Sequence, residues 1–195
     1  MTRYKLDILG LAEMRWSGCG RSQSEEVTIL WPGHEQQAVN GVGMMISKTA
    51  DKALVEWKPV DERILTARFV TSQSRLTIVQ SYAPTETADE VVKDSFYERL
   101  QETVDGVHRY DILMVMGDFN TKMSPERING MVGPFASSPV TNENGDRFRT
   151  FSNVNGLCIG NSFFQHKRIH RWTWRSPDGQ IKNEIDYICI SKRWV

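Results

Sequence analysis

Asp111-Ile112-Leu113-Met114-Val115-Met116-Gly117-Asp118-Phe119-Asn120 is the stretch from which the fold can be read. Its apolar run is short, ends in a glycine, and is followed at once by an acid and an amide. That pattern reads as a buried strand delivering polar side chains at its C-terminal end, where active sites are often built. Side chains alternate along an extended chain, so Asp118 and Asn120 are expected to share a direction. One carboxylate and one carboxamide on a common side suit a phosphate and its metal. A strand ending in Gly-Asp before a turn is also an ordinary capped loop, so the reading depends on what accompanies it.

Three other stretches share the design. Leu11-Ala12-Glu13 ends an apolar run, Ser81-Tyr82-Ala83-Pro84-Thr85 follows the strand-like Leu76-Thr77-Ile78-Val79, and Ile185-Asp186-Tyr187-Ile188 lies near the end. Each sets a polar or ionisable side chain at or within an apolar stretch, where burial without a partner is costly. Around them, Leu6–Leu11, Gly43–Ser47, Ile64–Val70, Leu76–Tyr82, Ile112–Met116 and Ile185–Ile190 read as strands, several with period-two alternation. Asp89–Val104 reads as a helix, because Val92, Phe96, Leu100 and Val104 recur every four residues and acids stand near its start. Lys122–Asn144, rich in Pro, Gly, Ser and Asn, reads as a long surface loop, and Gly145–Gly156 as a shorter helix ending at a glycine. The class is mixed α/β.

Composition narrows the field. A chain of 195 residues with 39% hydrophobic and 25% charged residues can bury a sizeable core as one domain. No apolar run has the length of a membrane span, and Met1–Asp7 lacks the apolar core of a signal peptide. An intracellular location, nuclear or cytoplasmic, is the expectation. Cys19, Cys158 and Cys189 are odd in number and widely spread, which argues against a disulfide framework or a zinc site. The 24 basic residues match the 24 acidic ones, so nucleic acid would not be held by global charge.

Local charge differs. His166-Lys167-Arg168-Ile169-His170-Arg171-Trp172-Thr173-Trp174-Arg175 gathers cations and two indoles just before the turn-like Ser176-Pro177-Asp178-Gly179. It reads either as a segment touching phosphates and laying a ring on a base or sugar, or as a solvated basic loop with Trp174 in the core. His166 and His170 have the spacing of ligands on a helix, but the β-rich surroundings argue against a metal pair.

Taken together, Glu13, Ser81-Tyr82-Ala83-Pro84, Gly117-Asp118-Phe119-Asn120, Thr173-Trp174 and Ile185-Asp186-Tyr187 resemble the endonuclease/exonuclease/phosphatase family, of the deoxyribonuclease I type. Ala12–Gly18, Asn40-Gly41-Val42-Gly43, Asn161-Ser162-Phe163-Phe164-Gln165 and Thr173–Gly179 resemble the endonuclease domain of RTE-type non-LTR retrotransposons. The likeness runs over nearly the whole chain. It implies a four-layer α/β/β/α sandwich, two mixed sheets flanked by helices, forming a single domain over residues 1–195.

The resemblance also implies roles. Glu13 would hold Mg²⁺, or Mn²⁺, a hard ion that takes one or two carboxylates and keeps waters. Asp118 would orient or deprotonate the attacking water, Asn120 would donate to the phosphate, and Tyr82 would bond a phosphate oxygen or the nucleophile. Asp186 is the family's acid that orients a catalytic histidine. Arg15, Thr85, Trp174 and Asn183 are the substrate-binding candidates: Arg15 and Thr85 toward phosphates, Trp174 as an aromatic wall, Asn183 where retrotransposon domains often carry Asn-Gln. Arg15 reads equally as a surface residue, and Glu184 departs from that glutamine. The partner is DNA, with a reverse transcriptase on the same chain in a complete element, and no membrane or small-molecule cofactor.

Two family features are expected to be missing: an opening strand with an asparagine, and a Ser-Asp-His motif after Ile185-Asp186-Tyr187. The leading expectation is a metal-dependent phosphodiesterase that nicks one DNA strand and leaves a 3′-hydroxyl, impaired by that truncation. The alternative is a non-catalytic remnant serving as a nucleic-acid or protein interaction module. A third reading replaces DNA with a phosphorylated lipid or inositol, against which Thr173–Pro177 speaks.

Overall fold

A computed structural model describes residues 1–33, 41–126, 128 and 130–194. Asn40 of the Asn40–Gly43 stretch lies outside the described residues. The chain divides into two compact units, Met1–Tyr82 with Asp105–Gly117, and Ala83–Val104 with Asp118–Val195.

The first unit begins with β1 (Ile8–Met14), β2 (Gly20–Gln23), β3 (Val27–Trp31) and β4 (Gly41–Ser47), an antiparallel sheet in the order β1-β4-β3-β2. A short helix, α1 (Lys48–Ala53), follows, its first turn capped by Ser47, whose hydroxyl accepts from Ala50 N. Then β5 (Leu54–Asp61), β6 (Ile64–Val70) and β7 (Arg75–Tyr82) pair antiparallel, and β8 (Ile112–Asp118) lies beside β7. Pro59 sits in β5, the outer strand, where a missing N–H costs least.

The two sheets of this unit share a core. Val42, Met44 and Ile46 of β4 with Leu30 of β3 pack with Leu65, Ala67 and Phe69 of β6, Ile78 and Tyr82 of β7, and Met116 of β8. The period-two choice of inward residues is what sheet-on-sheet packing demands. On the other face, Asp111 is buried against Arg68 (2.7 Å) and the Thr77 hydroxyl (2.7 Å). Burial pushes the Asp111 carboxyl up, but the Arg68 and Thr77 hydrogen bonds outweigh it and hold it below the usual carboxylate range.

The second unit holds α2 (Glu90–Asp105, all but its last residue), α3 (Glu143–Val154), β9 (Leu157–Ile159), the two-stranded hairpin β10 (Trp174–Arg175) and β11 (Lys182–Asn183), and β12 (Asp186–Ser191), which pairs antiparallel with β9. α2 buries Phe96, Leu100 and Val104, three of the four residues of the expected stripe, and Lys93; Val92 is exposed. Lys93 is held by Glu90 at 3.0 Å and Glu143 at 3.7 Å. No described helix is long and apolar enough to cross a membrane.

The result is mixed α+β with two main sheets and helices, the class the sequence implied. The first sheet's β2 and β3, the outer strand β5, helix α1 and the β10–β11 hairpin go beyond the strands and helices expected from periodicity. α3 begins two residues before the expected Gly145, because Asn142 caps it: its Oδ1 accepts from Gly145 N at 3.0 Å.

Candidate active site

In the first unit, β7 and β1 meet residue by residue. Ile78, Gln80 and Tyr82 face the same way along β7. Ile78 enters the core, Gln80 Nε2 donates to Leu11 O at 3.2 Å, and the Tyr82 hydroxyl donates to Glu13 Oε1 at 3.3 Å. Gly10 makes room for Gln80, since a Cβ there would lie 2.1 Å from Gln80 Oε1.

Glu13 reaches its place through a bulge. Leu11 pairs with Gly43 but Met14 with Gly41, so β1 carries one extra residue against β4. Glu13 takes the left-handed conformation, φ 56°, and its side chain is exposed. Left-handed backbone is uncommon for a residue such as Glu and costs free energy. Gly41 accepts the bulge because a Cβ there would lie 1.8 Å from Met14 O.

Arg63, unmarked by any sequence motif, completes this part. Its Nη1 donates to Tyr82 O at 3.1 Å, its own O accepts from Tyr82 N at 2.9 Å, and its guanidinium stands 5.3 Å from the Tyr82 ring centroid. A cation over a phenol face is a favourable arrangement. At the end of β8, Gly117 has φ 148°, and a Cβ there would lie 1.9 Å from Ser81 O, so the glycine of the motif is a steric requirement.

The second unit holds the other motif residues. The expectation that Asp118 and Asn120 share a direction on an extended strand does not hold. The strand stops at Asp118, Asn120 is left-handed (φ 48°), and its N–H donates back to Asp118 Oδ1 at 2.8 Å. This is the short side-chain-to-backbone turn that Asp forms readily, and Asn tolerates the left-handed position. Ala83 N donates to Asp118 O at 2.8 Å and Asn120 Nδ2 donates to Ala83 O at 3.0 Å, so Ala83-Pro84 and Asp118–Asn120 hold each other.

A clamp that sequence reading missed encloses them. Buried Asn144 donates to Pro84 O at 3.0 Å and Asn120 O at 3.4 Å, and Asn142 donates to Asn120 O at 3.2 Å. Glu86 accepts from Asn142 Nδ2 (2.7 Å), Glu143 N (3.0 Å) and Asn144 N (3.2 Å), sitting at the positive start of α3. The signal available in the sequence was the cap pattern Thr141-Asn142-Glu143, which places a helix start inside the supposed loop.

Two motifs are joined through the core of this unit. Phe119 N donates to Ile185 O at 2.9 Å, and the Phe119 ring lies 4.1 Å from Phe148, whose ring is 5.6 Å from Tyr187. Thr173 Oγ1 accepts from Ile185 N (3.0 Å) and Asp186 N (3.3 Å). Burial pushes the Asp186 carboxyl above the usual carboxylate range; the Thr173 hydroxyl opposes that rise and Glu184 adds to it.

Arg15 is exposed, with no hydrogen bond or ion pair to another described residue, and Thr85 is exposed beside Thr87 at 3.4 Å. Trp174 is 41% exposed, so it is not the core tryptophan that one reading allowed, and it pairs with Asn183 across the hairpin. Lys182 lies 4.0 Å from the Trp172 ring centroid. Arg171 is withdrawn from the basic segment: it is buried and bound to buried Glu184 at 3.0 Å, while Asn161 Nδ2 donates to Glu184 Oε1 at 3.0 Å. Glu184 therefore serves this internal pair rather than a substrate. Among the described residues no group of three or more His, Cys, Asp or Glu could hold a metal. His166 and His170 are not ligands in a cluster of that kind.

The donor set at Glu13 suits a different kind of ion. Its carboxylate is exposed and receives one side-chain hydrogen bond among the described residues, from Tyr82 on Oε1. An ion such as Mg²⁺ binds through one or two carboxylates and keeps its waters, and that is the donor geometry offered here.

No family model matches the chain. Craniofacial development protein 2 from Tragulus javanicus is 34% identical over 194 residues, and that from Bos taurus 35%, covering 100% of this chain. The chain spans 34% and 33% of their lengths. Among solved structures, AP endonuclease LMAP from Leishmania major superposes with a TM-score of 0.70 at 14% identity, over 99% of this chain and 72% of that one. The 3′ phosphatase NExo from Neisseria, bound to a product DNA hairpin, gives 0.63 at 16% identity, over 95% and 76%. The endonuclease domain of TRAS1, a telomere-specific non-LTR retrotransposon, gives 0.59 at 13% identity, over 86% and 68%.

The fold is that of the endonuclease/exonuclease/phosphatase proteins. Within that fold, the strand-end residues Glu13, Tyr82 and Asp118 and the tied Asn120 are explained as local chemistry. Each is set by a bulge, a face-to-face strand pair or a side-chain turn.

Proposed function

We propose that this chain is a divalent-metal-dependent phosphodiesterase that nicks one strand of DNA and leaves a 3′-hydroxyl, as in retrotransposon endonucleases. The observation that carries the reading is the pair of left-handed residues Glu13 and Asn120. They are two of the three non-glycine residues with positive φ among those described, the third being Lys5, and both fall in the motifs. Asn tolerates that conformation, but at Glu13 it is strained, and such strain survives where the surrounding structure enforces it and clusters at functional sites.

Hydrolysis of a phosphodiester needs charge neutralised on the non-bridging oxygens, a positioned water and a stabilised leaving oxygen. Glu13 would hold Mg²⁺ or Mn²⁺, which would supply that neutralising charge. Tyr82 fixes the Glu13 carboxylate by donating to it, and its hydroxyl oxygen accepts from the incoming nucleophile, with the Arg63 cation over its ring. Asp118 orients the attacking water and Asn120 donates its remaining amide hydrogen to the phosphate. Arg15, Thr85, Trp174 and Asn183 contact the DNA backbone and the flanking nucleotide.

The test is a substrate panel with Mg²⁺: supercoiled plasmid beside an inositol phosphate, each with wild type, Glu13→Ala and Asp118→Ala. Plasmid nicking lost in both variants supports the reading. Phosphate release from the inositol substrate without plasmid nicking transfers the activity to the other substrate class.

A further inference from the structure

Helices α2 and α3 of the second unit enclose a groove of about 590 Å³. Asp94, Tyr97, Glu98 and Gln101 line it from α2, and Glu143, Asp146, Arg147, Thr150, Phe151 and Val154 from α3. On both helices these are steps of three and four residues, one continuous stripe on each. From Glu143 to Val154 the stripe runs about 16 Å at the α-helical rise, the length of three turns.

The floor is apolar and the rim is acidic. The Tyr97 and Phe151 rings stand 6.1 Å apart, and Val154 at one end is 71% exposed. Four of the lining residues are acids, Asp94, Glu98, Glu143 and Asp146, against one cation, Arg147. That cation is already occupied: Arg147 is hydrogen-bonded to Asp94 and Glu90, with Glu143 at 3.7 Å. Lys93 stands 3.7 Å from Glu143 and Arg149 4.0 Å from Asp146, so with Glu90 counted five acids face three cations, a local excess of negative charge around an apolar strip in which Val154 is exposed, Tyr97 half-buried and Phe151 buried. Phosphate-bearing ligands are repelled there, and a cationic partner is attracted.

We propose that this groove docks an amphipathic basic helix of a protein partner. Its apolar side chains seat on exposed Val154 and half-buried Tyr97, and its Lys or Arg side chains meet Glu98, which has no ion pair among the described residues. Laying a helix with i, i+3, i+4 and i+7 anchors into an apolar groove is a recurring mode of recognition. The groove shares no residue with those assigned to phosphodiester chemistry, and the proposal stands whether or not that assignment holds.

The experiment uses the full chain and a labelled synthetic three-turn helical peptide with Leu on one face and Lys and Arg on the other. A control peptide carries Glu in place of each Lys and Arg. Fluorescence anisotropy is expected to show saturable binding of the basic peptide alone, weakened about tenfold by Glu98→Lys. Thr150→Arg, which fills the groove from an exposed position, is expected to abolish it. Backbone amide shifts on titration are expected at Gln101, Thr150 and Val154. Failure of the basic peptide to saturate the folded chain overturns the proposal. So does equal binding of the acidic peptide, undiminished binding by both variants, or displacement by duplex DNA competing for the same amides.

Discussion

The Tyr82 hydroxyl donates to Glu13 Oε1 at 3.3 Å, joining the end of one sheet to the bulge of the other within the first unit. The ring is buried and only the hydroxyl reaches the exposed carboxylate. Tyr82→Phe should therefore leave the fold intact and remove one positioned donor. The expected loss is about a hundredfold in Mg²⁺-dependent nicking, with thermal unfolding nearly unchanged. A loss of activity matched by a loss of folding would reassign Tyr82 to the core.

Left-handed backbone at Glu13 makes a second, separable prediction. An ordinary strand residue is less stable as Gly than as Ala by about 0.5–1 kcal/mol. At φ 56° that order should reverse, with Glu13→Gly at least as stable as Glu13→Ala in chemical denaturation, and both inactive. A more stable alanine variant would mean that the bulge relaxes and that no strain is stored there.

Asn144 ties Pro84 O and Asn120 O from inside the second unit. Asn144→Ala leaves the buried Pro84 O without that donor, and Asn120 O with only Asn142, and should cost about 1–3 kcal/mol in denaturant unfolding. Because it frees the backbone of Asn120, nicking should fall further than the stability loss alone explains at a temperature where the variant is folded. Equal losses would confine Asn144 to stability.

The raised Asp186 carboxyl sets the sign of a pH effect. A folded-state pKa above the unfolded value means that the native state binds the proton more tightly, so this group disfavours folding as pH rises through the folded pKa. Asp186→Asn should raise the melting temperature at neutral pH. The difference should shrink as pH falls through the raised pKa toward the ordinary carboxylate value. A gain that is constant with pH would remove the carboxyl's titration as its cause.

What could be read from the sequence follows from locality. β6 was expected at Ile64–Val70 and occurs there, and α2 is shifted by one residue from the expected Asp89–Val104. Both have strong periodicity and local caps. β5 was missed because Glu56, Lys58 and Pro59 break its pattern, which an outer strand tolerates. The start of α3 was misplaced because half of its cap, Glu86, comes from 57 residues earlier than Glu143. The motif residues Glu13, Tyr82, Asp118 and Asn120 drew notice in the sequence because each stands at or just past the end of an apolar run. Their conformations were not, since the bulge at Glu13 depends on β4 and the turn at Asn120 replaces the alternation assumed for it. Glu184 and Arg171 looked like surface chemistry in one dimension and are a buried pair in three.

The most direct measurement is polymerase extension from the cut. Supercoiled plasmid is incubated with the chain and Mg²⁺, then offered to a DNA polymerase with labelled nucleotides and no added primer. Nicked circles that incorporate label, formed by wild type but not by Glu13→Ala or with a chelator, are the predicted result. Intact plasmid with a folded protein, or nicking that persists in Glu13→Ala, would contradict the assignment of Glu13 and Tyr82 to metal-dependent phosphodiester cleavage.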